Sequence, residues 1–333
     1  MPDNISQKIR SLSATIKEKE KIIELISKDI KESRPDITRP IKETKLHNLK
    51  IAGIDGGLLK KEYSSISLII TRAIGVIFSY ADGKLQSTQY VPNAVIEPTY
   101  TITDSMDDQY ELDRKASIIR IGEEINRAIE CANKKPDIII LDGTIIPHPS
   151  TEPQSNSSLN EKYNNLFTKI KELIDTCAKN NILLAGVCED SRTNSFCKNL
   201  KIKEDICTDT QLTTYLLKTN ERTISYQTDL PKKYISLKHL IHNIIIKPTE
   251  HDKTIRIQFI AQDRIEEHAD KISGIINQIS SYHSEYAAPT VLIEADQRAK
   301  LSNRDLLFIE NEIRTGLGST PSMLELRRNR RPL

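Results

Sequence analysis

Two successive stretches of this chain repeat one pattern, a helix-period run of apolar residues that hands over to a short apolar strand, and this repetition constrains the fold most. From about Glu111 to Asn133, residues Ala116, Ile118, Ile119, Ile121, Ile125, Ala128 and Ile129 fit a helix, which passes through Lys134-Lys135-Pro136 into the strand "DIIILDG". A second helix over 158–180 leads into "NILLAGVCEDS". Such repeats imply parallel pairing, because parallel strands need a crossover of about a dozen residues or more. Ahead of them, "LKIAGIDGG", "ISLIITRAIGVIFSY" and "GKLQSTQYV" are three β-rich runs, punctuated by Gly56-Gly57 and by the hairpin signal Asp82-Gly83. They predict a mostly antiparallel meander with Asp55 at the end of its first strand. The fold class is therefore α/β.

The flanks are helical. Over 4–34, Ile5, Ile9, Leu12, Ile16, Ile23, Ile26 and Ile30 recur at alternating steps of three and four, broken only where Lys19 takes the apolar position. This predicts a long amphipathic N-terminal helix of coiled-coil character, which either packs on its own domain or pairs with a second subunit. A polar linker with Pro35 and Pro40 follows, so the helix and linker occupy 1–40. Later, "TDTQLTTYLLK" reads as a short helix, "SLKHLIHNIIIKP" and "KTIRIQFIA" as paired strands, and 264–281 and 302–316 as helices; "TVLIEAD" reads as a short strand or a helix start. "PHPSTEPQSNSSLN" is a loop by composition. The tail over 321–333 ends in four arginines, either a solvated end or a phosphate-contacting arm.

With 48 Lys and Arg against 46 Asp and Glu, the net charge of +2 points to no partner, and any nucleic-acid surface has to come from local clusters. The N-terminus lacks a signal peptide's apolar core, and no run approaches the roughly 18 apolar residues that span a bilayer, so a cytoplasmic address without membrane contact is expected. The five cysteines form no CxxC pair, which indicates neither a zinc site nor a disulfide framework.

The chemistry rests on carboxylates. Asp55 and Asp142 each end an apolar run and precede a glycine, which leaves the carboxylate facing the crevice where ligands of α/β sheets bind. An Asp-Gly pair alone is more often a simple turn. Between them, "RIGEE" places Glu123 and Glu124 on a helix, and spacing does not decide which one faces the sheet. Three converging carboxylates repel one another unless a hard cation such as Mg2+ or Mn2+ neutralises them, and two such ions are a common device for cutting phosphodiesters. No GxxxxGK[ST] loop is present, so any ATP hydrolysis belongs to a partner.

The order "GIDGG", "RIGEE", "IIILDGT", "LAGVCEDSR", "TDTQLTTYLL", "AAPTVLIEADQRAKLS" resembles the NurA family over about residues 50–302. The resemblance implies an RNase H-like mixed-sheet core with flanking helices over 41–320, and a homodimer. It implies a Mn2+- (or Mg2+-) dependent deoxyribonuclease acting on DNA ends, as a 5'-3' exonuclease, a single-strand endonuclease or both. A hexameric HerA-type ATPase is the implied partner, pumping DNA into the nuclease during resection of double-strand breaks. Matched by position, Asp55 resembles the family's first catalytic aspartate, Glu123 its helical glutamate, and Asp142 the aspartate of its "DG" strand. The chain departs from the pattern at Ala288 and Asp296, which replace a tyrosine before proline and a later histidine; Asp296 is expected as a metal ligand, with Tyr286 a partial substitute for the aromatic. Where a basic residue is expected in the fourth motif stand Glu189-Asp190, with Arg192 behind: Asp190 is a further candidate ligand and Arg192 a phosphate contact. Arg120, Arg298 and Lys300 are expected to line a DNA path. A catalytically weak adaptor of the translocase, and an RNase H-like enzyme acting on RNA, are the competing readings.

Overall fold

The structure, a computed structural model, describes residues 2–63, 65–104, 109–189, 191–203 and 206–317. Asp190 and the tail over 321–333 lie outside the described residues. In chain order the helices are α1 (Pro2–Ser33), α2 (Gln109–Ala132), α3 (Asn160–Lys179), α4 (Ser195–Asn199), α5 (Asp209–Leu216), α6 (Ile265–Ser280), α7 (Thr290–Ala299) and α8 (Asn303–Leu317). The strands are β1 (Thr38–Pro40), β2 (Leu49–Glu62), β3 (Ile66–Ala81), β4 (Lys84–Val91), β5 (Thr99–Asp104), β6 (Ile138–Asp142), β7 (Leu183–Cys188), β8 (Glu221–Thr223), β9 (Ile241–Lys247) and β10 (Ile255–Ile260). None of the helices is long and apolar enough to cross a membrane, among the described residues.

The chain divides into two compact units, one built of 46–185, 230–235 and the chain from 291 on, the other of 1–45, 186–229 and 236–290. The first is a mixed sheet. β2 pairs antiparallel with β3 along its whole length and parallel with β6 on its other side. β3, at 16 residues, is long enough to take β5 on its first half and β4 on its second. Its near-continuous apolar run is buried from Leu68 to Ile70 and from Ala73 to Phe78, the pattern of a strand covered on both faces. The β3–β4 hairpin turns at Asp82 and Gly83, both at positive φ (51° and 74°), as the dipeptide predicts. α2 covers one face through Leu112 and Ala116, which pack with Ile69. α8 closes the far end of β2 and β3 through Leu306, Ile309 and Ile313 against Tyr63, Leu68 and Ile70.

One expectation is corrected here. Asp55 does not end a strand; it sits in the middle of the 14-residue β2, which runs on through Gly56-Gly57 to Glu62. The glycine pair makes room and does not break the strand. A Cβ on Gly56 would fall 2.5 Å from Glu124 Oε1 of α2, and one on Gly57 would fall 2.2 Å from the Ala299 carbonyl oxygen of α7. The ambiguous "TVLIEAD" segment is helical, as α7.

In the second unit, β1, β8, β9 and β10 pair in that order, each neighbour antiparallel. The expected β9–β10 pair is present, although "SLKHL" ahead of it forms a 3-10 helix. α1 takes the first of its two foreseen roles, packing on its own unit, over its second half. Past Lys19, Ile23, Ile26 and Ile30 join a core with Leu212, Leu216 and Phe196. Ser27 Oγ donates to the Leu212 carbonyl at 3.2 Å, and Lys31 Nζ donates to the Leu216 carbonyl at 3.2 Å and to Glu221 at 3.1 Å. Before Lys19, Ile5, Ile9, Leu12 and Ile16 keep 49–64% of their surface exposed within the chain.

Candidate metal centre

The parallel register of β2 and β6 sets Ile54 opposite Leu141, so Asp55 and Asp142 are the next residues in line on adjacent strands. Neighbouring strands lie about 4.8 Å apart, which brings two carboxylates side by side. β6 stops at Asp142 because Gly143 adopts φ +99°, a conformation open to glycine, and the chain turns away from the sheet. Asp55 is 5% exposed, whereas Asp142 is open to solvent. The two side chains are hydrogen-bonded to each other, and the Gly56 N–H donates to Asp55 Oδ1 at 2.6 Å. Burial first, and then the charge of Asp142 with a lesser share from Asp296, push the Asp55 carboxyl up to about 7; the Gly56 hydrogen bond opposes them only in part.

From α2, the structure brings Glu124 to this pair and directs Glu123 elsewhere. Glu124 is 7% exposed, fills the space left by the missing Cβ of Gly56, and feels the charges of both Asp55 and Asp142. Burial raises its carboxyl to about 8, against the pull of Arg120, whose Nη1 lies 2.5 Å from Glu124 Oε1 and 3.5 Å from the Gly56 carbonyl oxygen. Glu123 is raised by burial too, but the groups around it that oppose the shift are Thr71, Thr99, Arg127 and Lys169. A sequence signal for this choice exists. Ala116, Arg120, Glu124, Ala128 and Ala132 follow one another at four-residue steps, so Glu124 lies in line with three alanines that suit close packing on a sheet, and Ala116, Glu124, Ala128 and Ala132 are buried.

Asp296 sits on the exposed side of α7 and contributes its charge to Asp55. Two turns of contacts hold its neighbours. Arg298 Nε donates to Glu294 at 2.9 Å and the guanidinium lies 5.0 Å from the centre of the Tyr90 ring, while the Lys300 carbonyl accepts from Arg72 at 2.9 Å. Both basic side chains are exposed. Tyr286 and Arg192 belong to the other unit: the Tyr286 hydroxyl donates to Glu189 at 3.4 Å, and Arg192 lines a groove between α1 and α5. Ala288 is buried.

Among the described residues no three acidic, histidine or cysteine side chains already stand close enough to enclose a cation. The carboxylates are held in pairs, Asp55 with Asp142 and Glu124 with Arg120. The donor set is nevertheless hard and all-oxygen, and its two buried members are raised toward neutrality with a single arginine for company. A divalent cation is the partner that would let these acids ionise together.

A family model described as the NurA domain matches residues 49–301. Among solved structures, the NurA nuclease from Sulfolobus solfataricus is similar over 94% of this chain and 97% of its own, with a TM-score of 0.63 at 14% identity. A NurA structure with manganese is similar over 96% and 100%, with a TM-score of 0.58 at 11% identity. A NurA structure bound to dAMP and manganese is similar over 96% and 99%, with a TM-score of 0.59 at 10% identity. No curated protein matches the sequence.

Proposed function

The chain belongs to the NurA family, and from that premise we propose that it is a divalent-metal-dependent nuclease that processes DNA ends. The observation that carries this reading is the pair Asp55 and Asp142 on adjacent strands, whose charges Glu124 of α2 feels, with Asp55 and Glu124 raised by burial and mutual charge. The related structures bound to manganese, and to dAMP and manganese, support the same choice of ion and ligand class.

Asp55, Asp142 and Glu124, with Asp296 from α7, would hold Mn2+ or Mg2+. Bound there, the ion would supply an activated water and a counter-charge for the departing oxygen of a phosphodiester. The protein's own part is positional. The Gly56 N–H fixes one oxygen of Asp55 and leaves the rest of the carboxylate to bind. Arg120 keeps Glu124 turned toward the sheet, and once the acids are neutralised by the ion its guanidinium is placed to meet a phosphate. Arg298, steadied by Glu294 and Tyr90, and the exposed Lys300 extend a basic border along α7 for the strand. Glu124 thus takes the helical role that the resemblance gave to Glu123.

The partners follow from family and surface. A hexameric HerA-type ATPase would drive DNA to this chain during end resection. The exposed stripe Ile5, Ile9, Leu12 and Ile16 is of the kind that a second copy covers in a homodimer. Labelled linear DNA incubated with the protein and Mn2+ should be degraded, and Asp55→Asn and Asp142→Asn should each stop it. Intact DNA even with the partner ATPase and ATP present would end the nuclease reading, and faster cutting of single-stranded RNA would replace the substrate.

A further inference from the structure

Cys197 and Cys207 lie in the second unit, where α4 meets the start of α5. Their sulfurs are 3.8 Å apart, and both side chains are buried, at 0% and 6% exposure. The backbone around them is fixed from one point. Asp209 Oδ1 accepts the Cys197 N–H at 2.9 Å, its Oδ2 accepts the Thr193 hydroxyl at 2.9 Å, and its own N–H donates to the Thr193 carbonyl at 2.8 Å. The Thr208–Gln211 capping box holds the residue after Cys207 in place. A disulfide needs its sulfurs at about 2.05 Å, so this pair requires a shift of under about 2 Å, within reach of side-chain rotation while the helices stay put. The pair is also reachable. Cys207 lines a cavity of about 210 Å³ together with Lys19, Arg192 and Thr208, which is large enough for a small oxidant.

We propose that Cys197 and Cys207 are a modification site, an oxidisable dithiol that takes hydrogen peroxide and closes to a reversible intramolecular disulfide. The hydrogen bond from the Cys197 thiol lowers the Cys207 thiol from its ordinary value, while the same contact and burial raise that of Cys197. Cys207, the one of the two that lines the cavity, is the sulfur that reacts first. Its thiolate attacks one peroxide oxygen, the O–O bond breaks, and the departing hydroxide takes a proton to leave water and a sulfenic acid on Cys207. The Cys197 sulfur then attacks that sulfur, loses its proton and expels the hydroxyl as a second water. Two thiols are oxidised by two electrons, and one peroxide is reduced to two waters.

The test uses the full-length native protein, treated with increasing hydrogen peroxide, blocked with a maleimide and digested without reductant for mass spectrometry. The expected result is a linked pair of peptides carrying Cys197 and Cys207, lighter than the two reduced peptides by two hydrogens and released by dithiothreitol. Cys131 and Cys177, buried in the other unit, should still take maleimide once the chain is unfolded. Cys207→Ser should abolish the link and leave Cys197 maleimide-reactive in the unfolded chain. Should that variant fail to fold, the wild-type map decides alone. Absence of the linked peptide in folded, peroxide-treated protein, or accumulation of Cys207 as a sulfinic acid with Cys197 still free, would overturn the proposal.

Discussion

Arg222 and Asp55 are both charged side chains taken out of water, and the chain treats them in opposite ways. Arg222, fully buried in the second unit, spends its guanidinium on Asp270 at 3.0 Å, the Thr223 carbonyl at 2.9 Å and Glu266 at 2.8 Å. Glu266 in turn accepts from the Ser225 N–H and hydroxyl at 2.9 and 2.6 Å. Burial alone would raise its carboxyl, yet the hydrogen bonds from Ser225 and Arg222 outweigh that and hold it below the usual range. Around Asp55 the balance is reversed. Carboxyl faces carboxyl, the cation nearby belongs to Glu124, and both buried acids are pushed up to about 7 and 8. A buried charge with matched partners is a structural device, whereas a buried group of like charges waits for something else to bind.

The sharpest way to break the comparison is to neutralise each centre in turn. Asp55→Asn and Asp142→Asn should lower the rate of DNA degradation by roughly a thousandfold or more, since each removes an ion ligand. Their folding, followed by circular dichroism, should be intact. Arg222→Met should do the reverse. It takes the buried cation from Asp270 and leaves Glu266 with Arg39 at 3.3 Å, and because both acids are about one-third exposed the loss is discounted to about 2–3 kcal/mol. Urea unfolding reads that loss, and activity per folded molecule should be unchanged.

Within the acidic group, Glu124→Gln should slow cleavage by about a hundredfold, while Glu123→Gln, whose neighbours are Thr71, Thr99, Arg127 and Lys169, should stay within about threefold. Equal losses in the two variants would erase the distinction that α2 makes between them.

The smallest effect is on stability against pH. Asp55 rises from an ordinary 3.8 to about 7 and Glu124 from 4.5 to about 8, so the folded protein keeps these protons after the unfolded chain has lost them. Their stabilising contribution is complete below about pH 4 and declines as pH rises through 7 to 8. In metal-free buffer, Asp55→Asn should therefore gain on the wild type by about 2 kcal/mol between pH 5 and pH 8, and Mn2+ should cancel that gain by stabilising only the wild type. A difference independent of pH would mean that Asp55 carries its charge freely.

Most of the framework was legible because period and length speak plainly over long elements. α1, α2, α3, α6 and α8, the Asp82-Gly83 hairpin and the β9–β10 pair all follow from apolar spacing and turn chemistry. The three-residue strands β1 and β8 were not legible, since their pairing comes from the sheet and not from their own residues. Nor was β5, whose threonines carry little apolar period. At the site, Asp55 and Asp142 stood out by what surrounds them, but Gly56-Gly57 misled. Glycine pairs punctuate many chains, and here their use is space for Glu124 and Ala299, which only tertiary packing reveals. The choice of Glu124 over Glu123 was written in the alanine row of α2, a weaker mark than the isoleucines beside it.

The most direct measurement is a Mn2+ titration followed by electron paramagnetic resonance at pH 8, on the wild type, Asp55→Asn, Glu124→Gln and Glu123→Gln, with the loss of the free-ion signal as the readout. Saturable binding by the wild type and Glu123→Gln, weakened at least tenfold in Asp55→Asn and Glu124→Gln, is the expected result. Binding that is equally tight in all four proteins would place the ion elsewhere and contradict the assignment of Asp55 and Glu124 to the metal centre.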